Sequence, residues 1–169
     1  MSISLYKASV PVFIHGLGNL VTLLEKATAH AAAKKFDPTI LVNSRLFPDM
    51  LPLVAQIRIA TDGVKGAAAR LSGQEPPVFE DNEQTMPELI ARLQKTIDYL
   101  KTFKAEQIDG AEDRQIQLKI GGHTLSFKGL DYLLTFVIPN FYFHVTTAYN
   151  ILRHNGVEIG KQDYLGKIQ

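Results

Sequence analysis

The chain of 169 residues contains no cysteine and no tryptophan. The absence of cysteine excludes disulfides, thiolate metal sites and cysteine nucleophiles. It also agrees with a reducing compartment, and we therefore expect a cytoplasmic protein. Without tryptophan, no indole ring is available as a platform for a ligand.

Concentrated charge of one sign is also missing. The chain has 18 Lys and Arg against 17 Asp and Glu, for a net charge of +1, and Lys34-Lys35 is the only adjacent basic pair. Clustered basic side chains supply most of the affinity of proteins for nucleic acids because they neutralise phosphates. We therefore expect no nucleic-acid partner.

Long uninterrupted apolar runs are scarce as well. Residues 1–7 lack the basic region and apolar core of a signal peptide. The nearest approach to a membrane span, residues 127–144, is interrupted by two charged residues, a proline and an asparagine. With 46% hydrophobic and 21% charged residues, the composition is typical of a soluble protein. We expect a single domain over residues 1–169, with no membrane partner.

Apolar residues recur at intervals of three and four in four segments, which predicts four amphipathic helices. The first segment is 6–31 and the second begins near Phe47-Pro48-Asp49 and ends at Gly73. The third opens with Thr85-x-x-Glu88, the pattern of a capping box. The fourth is 129–154, in which Pro139 is expected to kink or break the helix.

Between Arg114 and Phe127 the apolar period changes from about 3.6 to 2, which is typical of strands. The central Gly121-Gly122 suits a two-residue turn and predicts a hairpin that pairs Leu118 with Leu125. We expect this hairpin to cap one end of a helical bundle. The fold class predicted by these segments is all-α, a four-helix bundle with a small β-hairpin before its last helix.

His144 is the strongest candidate for a functional side chain. On a helix it shares one face with the apolar Phe141, Val145, Ala148 and Leu152, so it is expected to turn inward. An inward imidazole either binds a ligand or acts in catalysis, or it is a buried histidine that hydrogen-bonds to a neighbour. The second alternative is the more frequent one.

Three polar residues of the second helix are candidate partners of His144, namely Gln56, Thr61 and Asp62. An Asp62–His144 contact would orient the ring and raise its basicity. An exposed Asp62 is the simpler expectation. The aromatic run after Pro139 also contributes Tyr149, which is expected at a pocket mouth or a subunit contact.

The spacing of donors gives no metal or nucleophile motif. The sequence has no His-x-x-x-His and no Gly-x-Ser-x-Gly. We therefore predict no metal, no cofactor and no activated serine.

The order of these elements and several strings of sequence resemble a bacterial family of unknown function within the DinB/YfiT-like superfamily. The resemblance implies an up–down–down–up four-helix bundle in a bacterial protein, often paired into a dimer, so we expect a homodimer. The matching strings are residues 47–56, 140–149, 152–157 and 159–166.

The wider superfamily typically holds a divalent metal with three histidines, one on the second helix and two at His-x-x-x-His on the last bundle helix. The resemblance places Gln56 at the first of these positions, and His144 and Ala148 at the final pair. One donor of three remains, which argues against the metal-dependent thiol-transferase activity of the superfamily.

We therefore expect an uncharacterised DinB-like protein without the three-histidine metal site. Its pocket would be either vestigial or repurposed for a small-molecule ligand, with His144, Gln56, Asp62, Ala148 and Tyr149 as the candidate residues. The alternative is a metal-dependent or His144-based transferase or hydrolase. A third interpretation is an interaction module that acts through an apolar surface.

Overall fold

Four long helices surround the hydrophobic core of the protein in the computed structural model, which describes residues 3–167. The helices are α1 (Leu5–Lys34), α2 (Thr39–Asn43), α3 (Leu53–Leu71), α4 (Met86–Lys101), α5 (Ala105–Ile108), α6 (Gly129–Asp131), α7 (Ile138–His154) and α8 (Lys161–Leu165). A π-helical segment, Tyr132–Val137, joins α6 to α7, and strands β1 (Gln115–Ile120) and β2 (His123–Lys128) form an antiparallel hairpin before α6.

The bundle is formed by α1, α3, α4 and α7. Helix α1 packs against α4 and α7, and α3 packs against the same two helices from the other side. Helices α3 and α4 run in parallel, so the loop between them, residues 72–85, has to return along the bundle. The predicted up–down–down–up bundle, with a hairpin before its last helix, is confirmed.

The predicted stripe of α1 lies in the core, where Val10, Phe13 and Leu17 are fully buried. Gly16 of the same helix brings α1 close to α7, because a Cβ at this position would lie 2.8 Å from the ring of Phe141. The rings of Phe13 and Phe141 meet edge to face at 5.3 Å. Gly16 therefore serves the packing of two parallel helices.

Helix α1 is also the one described helix that is long and apolar enough to cross a membrane. The core helix of a soluble protein meets the same criterion of length and composition. The burial of its apolar stripe against α4 and α7 accounts for its composition in this fold.

The second long helix begins later than predicted, at Leu53 rather than near Phe47. The reason is Pro52, which is extended (φ −72°, ψ 169°) and disfavours the helical conformation in the residue before it. The loop 44–52 is closed by a hydrogen bond from the Leu53 N–H to the Ser44 carbonyl at 2.9 Å. This loop also contains Leu51, whose carbonyl accepts a hydrogen bond from Gln56.

Pro139 does not break the last helix, contrary to one of the two expectations for it. Residues 129–154 are continuously helical, and Pro139 lies directly after the π-helical segment. Inside a helix, proline cannot donate a backbone hydrogen bond, and its ring crowds the preceding turn. The wider turns of the π-helical segment change the backbone hydrogen bonding just before Pro139.

The hairpin has the predicted register, with Leu118 opposite Leu125 and Ile116 opposite Phe127. Gly121 and Gly122 both have positive φ, 56° and 82°. A tight turn that matches the twist of the strands requires such angles.

A buried arginine of α4 fixes the long α3–α4 loop. The Arg92 side chain is almost completely buried, and its Nε donates to the Thr61 hydroxyl at 2.8 Å. Its Nη1 donates to Glu83 Oε1 at 2.9 Å and lies 3.0 Å from Asp81 Oδ1, while Nη2 lies 3.0 Å from Asp62 Oδ1. One guanidinium thus joins α3, α4 and the loop.

Arg58 of α3 reinforces the same attachment. It donates from Nε to Glu83 Oε2 at 2.9 Å and from Nη2 to the Glu83 carbonyl at 2.6 Å. Burial alone would raise the pKa of Glu83, but the hydrogen bonds from Arg92 and Arg58 outweigh it and hold this pKa below its ordinary value. Glu83 is therefore ionised at neutral pH. Its carboxylate attaches the loop both to Arg58 of α3 and to Arg92 of α4.

We predict that Arg92→Ala lowers the free energy of unfolding by about 3–5 kcal/mol, because it leaves a group of carboxylates without their buried cation. Urea denaturation measures the change. Lys101→Ala is the matched control, since Lys101 lies on the same helix in an exposed ion pair with Asp98 and should cost less than about 0.5 kcal/mol. Equal, small effects of the two substitutions would show that Arg92 does not fix the loop.

Candidate functional site

The candidate site lies where the first turns of α3 meet the middle of α7. Gln56 comes from α3 and His144 from α7, and these helices run antiparallel. The two residues are nearly buried, with 2% of Gln56 and 7% of His144 exposed. His144 Nδ1 and Gln56 Oε1 are 2.7 Å apart, a short hydrogen bond.

A third group fixes which atom of this pair carries the proton. Gln56 Nε2 donates to the Leu51 carbonyl at 3.0 Å. Because a carbonyl only accepts hydrogen bonds, the amide nitrogen must face Leu51 and the amide oxygen must face His144. The network therefore assigns the proton to His144 Nδ1 and leaves a lone pair on Nε2.

The protonation state of His144 follows from its burial, which lowers its pKa below the ordinary value. The imidazole is therefore neutral at pH 7. Nε2 has no hydrogen-bond partner among residues 3–167 and is not one of their fully buried atoms. The site thus offers a neutral imidazole with an accessible lone pair, which can accept a hydrogen bond or a proton.

Exposed apolar side chains occur in both segments that form this network. Leu51 and Phe143 are 51% and 58% exposed, and the Phe143 ring lies perpendicular to the His144 ring with centroids 5.3 Å apart. Phe47, in the same loop as Leu51, is also largely exposed. Helix α7 and the loop 44–52 therefore both present apolar groups to solvent.

Two other predicted pocket residues lie further along α7. Ala148 is fully buried one turn after His144, and its methyl group offers no donor. Tyr149 is half-buried and contacts Tyr164 of α8 edge to face at 5.8 Å. The structure therefore brings Ala148, but not Tyr149, to the side of His144, and their role in ligand binding stays a prediction.

Asp62 does not pair with His144. Its Oδ1 lies 2.7 Å from Lys65 Nζ and 3.0 Å from Arg92 Nη2, because two cations of the neighbouring charge cluster attract it. Gln56 is the partner of the imidazole instead. The simpler expectation was an exposed Asp62, whereas the structure shows it only partly exposed, although away from the ring.

Three other histidines each lie against a different part of the chain. His15 Nε2 is 2.7 Å from the Leu165 carbonyl, His30 contacts the ring of Phe36, and His123 lies beside the hairpin turn. Among residues 3–167 there is no group of three His, Asp or Glu side chains that could hold a metal ion.

The donor set does not fit the three-histidine metal of the superfamily. His144 Nδ1 is engaged by the Gln56 oxygen, and the amide oxygen itself faces the imidazole proton. The third position is Ala148, which has no donor atom. An imidazole and an amide are a poor donor set for nickel or zinc.

Five open surface cavities of 260–810 Å³ lie in the described part of the chain. None of these five is lined by His144, Gln56, Ala148 or Tyr149, whereas Asp62 lines the smallest one.

Sequence reasoning missed the buried charge cluster around Arg92. A signal was present on α3, where Arg58, Asp62 and Lys65 are spaced so that they share one face of the helix. This pattern indicates a charged stripe on one face of α3. Its partners on α4 and in the loop are distant in sequence and give no local signal.

Comparison with known proteins agrees with this architecture. A family model described as a domain of unknown function, DUF1993, matches residues 5–165. The chain is also similar to the crystal structure of a DinB family member protein from Shewanella denitrificans, with 42% identity over 97% of this chain and 93% of that one and a TM-score of 0.87. No protein of curated function matches the sequence. The chain therefore belongs to the DUF1993 family of unknown function and has the DinB-like four-helix-bundle fold.

Proposed function

We propose that this protein is a metal-independent small-molecule-binding protein in which His144 Nε2 accepts a hydrogen bond or a proton from the ligand. The observation that carries the proposal is the chain of hydrogen bonds from His144 through Gln56 to the Leu51 carbonyl. This chain holds the imidazole in one orientation and one tautomer. A side chain held in this way presents its lone pair at a defined position, which is the requirement of a binding group.

The surroundings of His144 indicate the chemistry of the ligand. Burial disfavours the imidazolium, so the complementary group is a hydrogen-bond donor such as a hydroxyl or a thiol rather than an anion. The exposed Leu51 and Phe143 favour an apolar body next to this donor. We therefore propose a ligand with one O–H or S–H group on an apolar frame.

The alternative function is catalysis of transfer or hydrolysis with His144 as a general base, and the free lone pair of Nε2 is the observation that favours it. A base needs an unprotonated atom near its target, and a lowered pKa keeps that atom unprotonated at neutral pH. Turnover of small thiols with electrophiles would then increase as the pH rises through the His144 pKa. Absence of turnover at every pH would rule out this alternative.

The binding proposal is tested with phenol and anisole, which share an aromatic ring and differ in the hydroxyl proton. We predict that phenol shifts the NMR signals of the His144 ring in EDTA-treated protein. We expect phenol to bind about fivefold more tightly than anisole, as one hydrogen bond of about 1 kcal/mol implies. His144→Phe should remove this preference, whereas His154→Phe, at an exposed position of the same helix, should keep it.

Two outcomes would contradict the proposal. One is equal binding of phenol and anisole, or binding that leaves the His144 signals unchanged. The other is stoichiometric nickel, zinc or iron in protein purified without an affinity tag, if His144→Phe abolishes that metal. Circular dichroism of both variants establishes that the comparison is made on folded protein.

We also propose that the protein is a homodimer. The exposed Phe47, Leu51 and Phe143 support this proposal, since large apolar side chains at a surface favour association. Sedimentation equilibrium measures the mass over a range of concentrations. A monomer at all concentrations would refute the dimer and would leave the interaction-module interpretation without support if no partner co-purifies.

We propose a cytoplasmic location in a bacterium. The support is the absence of cysteine and the similarity to a protein from Shewanella denitrificans. Fractionation of cells that produce the protein at its natural level tests this location, and recovery outside the cytoplasmic fraction would contradict it.

A further inference from the structure

A groove at the far end of α3 carries a second set of functional groups. The base of the hairpin lies beside the C-terminal end of α3 and borders a cavity of about 730 Å³, which is lined by Arg70, Arg114 and Lys119 among others. A second cavity, of about 260 Å³, shares Arg70 and Lys119 as lining residues. The two cavities therefore have these two cations in common.

Two glycines make room for the two arginines. A Cβ at Gly66 would collide with the guanidinium of Arg70, and one at Gly73 would collide with that of Arg114. Gly66 lies inside α3, where glycine costs about 1 kcal/mol relative to alanine. Glycine at this position leaves space for the Arg70 guanidinium, which folds back over the helix.

The cations of the groove differ from those around Arg92. In the described part of the chain, Arg58, Lys65 and Arg92 all form ion pairs, whereas Arg70, Arg114 and Lys119 form none. Arg70 Nη1 lies 3.3 Å from the hydroxyl of Tyr132, an uncharged partner. Glu75 is the one carboxylate that lines the larger cavity. The groove therefore has an excess of positive charge.

The smaller cavity provides an apolar surface next to these cations. Tyr132 and Phe136 of the π-helical segment line it, with their rings stacked at 6.1 Å and an interplanar angle of 15°. Ile59 and Val137 also line it. Asp62 reaches the same cavity, but Lys65 and Arg92 compensate its charge.

We infer that this groove binds an organic anion, in which a phosphate or carboxylate group lies between Arg70 and Arg114 and a flat apolar ring enters the smaller cavity beside Phe136. Guanidinium groups bind both anions through paired N–H donors. The site is separate from His144. Gln56 and Arg70 are fourteen residues apart on α3, about 21 Å along the helix.

Calorimetric titration with phenyl phosphate, benzoate and inorganic phosphate tests the inference. We expect saturable binding of phenyl phosphate or benzoate, and the tighter of the two identifies the preferred anion. Inorganic phosphate should bind more weakly than phenyl phosphate because it lacks the ring. Higher salt should weaken binding, as it does for ion pairs at a protein surface.

Variants assign the binding to the groove. Arg70→Gln and Arg114→Gln should each weaken binding at least tenfold, and Arg70→Lys should restore only part of the affinity because it lacks the paired donors. Arg153→Gln is the matched control, since Arg153 also lies in the last turn of a long helix, and it should bind as the unaltered protein does. Chemical-shift changes on titration should map to β1 and the π-helical segment.

Several results would overturn the inference. They are the absence of saturable binding of both aromatic anions, affinities that Arg70→Gln and Arg114→Gln leave unchanged, or shifts that map away from β1. Inorganic phosphate binding as tightly as phenyl phosphate would refute the role of the ring. Loss of binding in His144→Phe with retention in Arg70→Gln would place the anion at the other site.

Discussion

The hydrogen bond between His144 and Gln56 fixes the orientation and the tautomer of the imidazole in this bundle. It joins α7 to α3, and the second bond of Gln56, to the Leu51 carbonyl, extends the connection to the loop before α3. His144 donates its Nδ1 proton to the amide oxygen of Gln56. The bond from the amide nitrogen to Leu51 keeps that oxygen facing the imidazole. The position that would hold a metal in a three-histidine site becomes a neutral imidazole with one free lone pair.

Cationic side chains elsewhere in the fold differ in whether they are paired with carboxylates. Arg92 and Arg58 are paired with carboxylates and attach the α3–α4 loop, which an up–down–down–up bundle requires because α3 and α4 are parallel. The paired cations therefore serve the architecture. Arg70 and Arg114, at the opposite end of α3 from Gln56, line the groove that we propose to bind an anion.

Local patterns predicted most of the fold but less of the site. Periodicity and capping gave the long helices, and Gly121-Gly122 gave the register of the hairpin. The predicted start of α3 was wrong because Pro52 restricts the backbone of the residue before it. The apolar period gives no sign of this restriction. The Gln56–His144 contact was one of several alternatives, since it joins residues 88 positions apart. The charge cluster of Arg92 depends on similar long-range contacts.

The most direct test of the central claim is an NMR measurement of the His144 ring nitrogens during a pH titration, by long-range ¹H–¹⁵N correlation. We predict a neutral ring at pH 7, with the proton on Nδ1 and none on Nε2. We also predict a titration midpoint below the ordinary histidine value of about 6.5. A proton on Nε2 at pH 7, or a midpoint above that value, would contradict it.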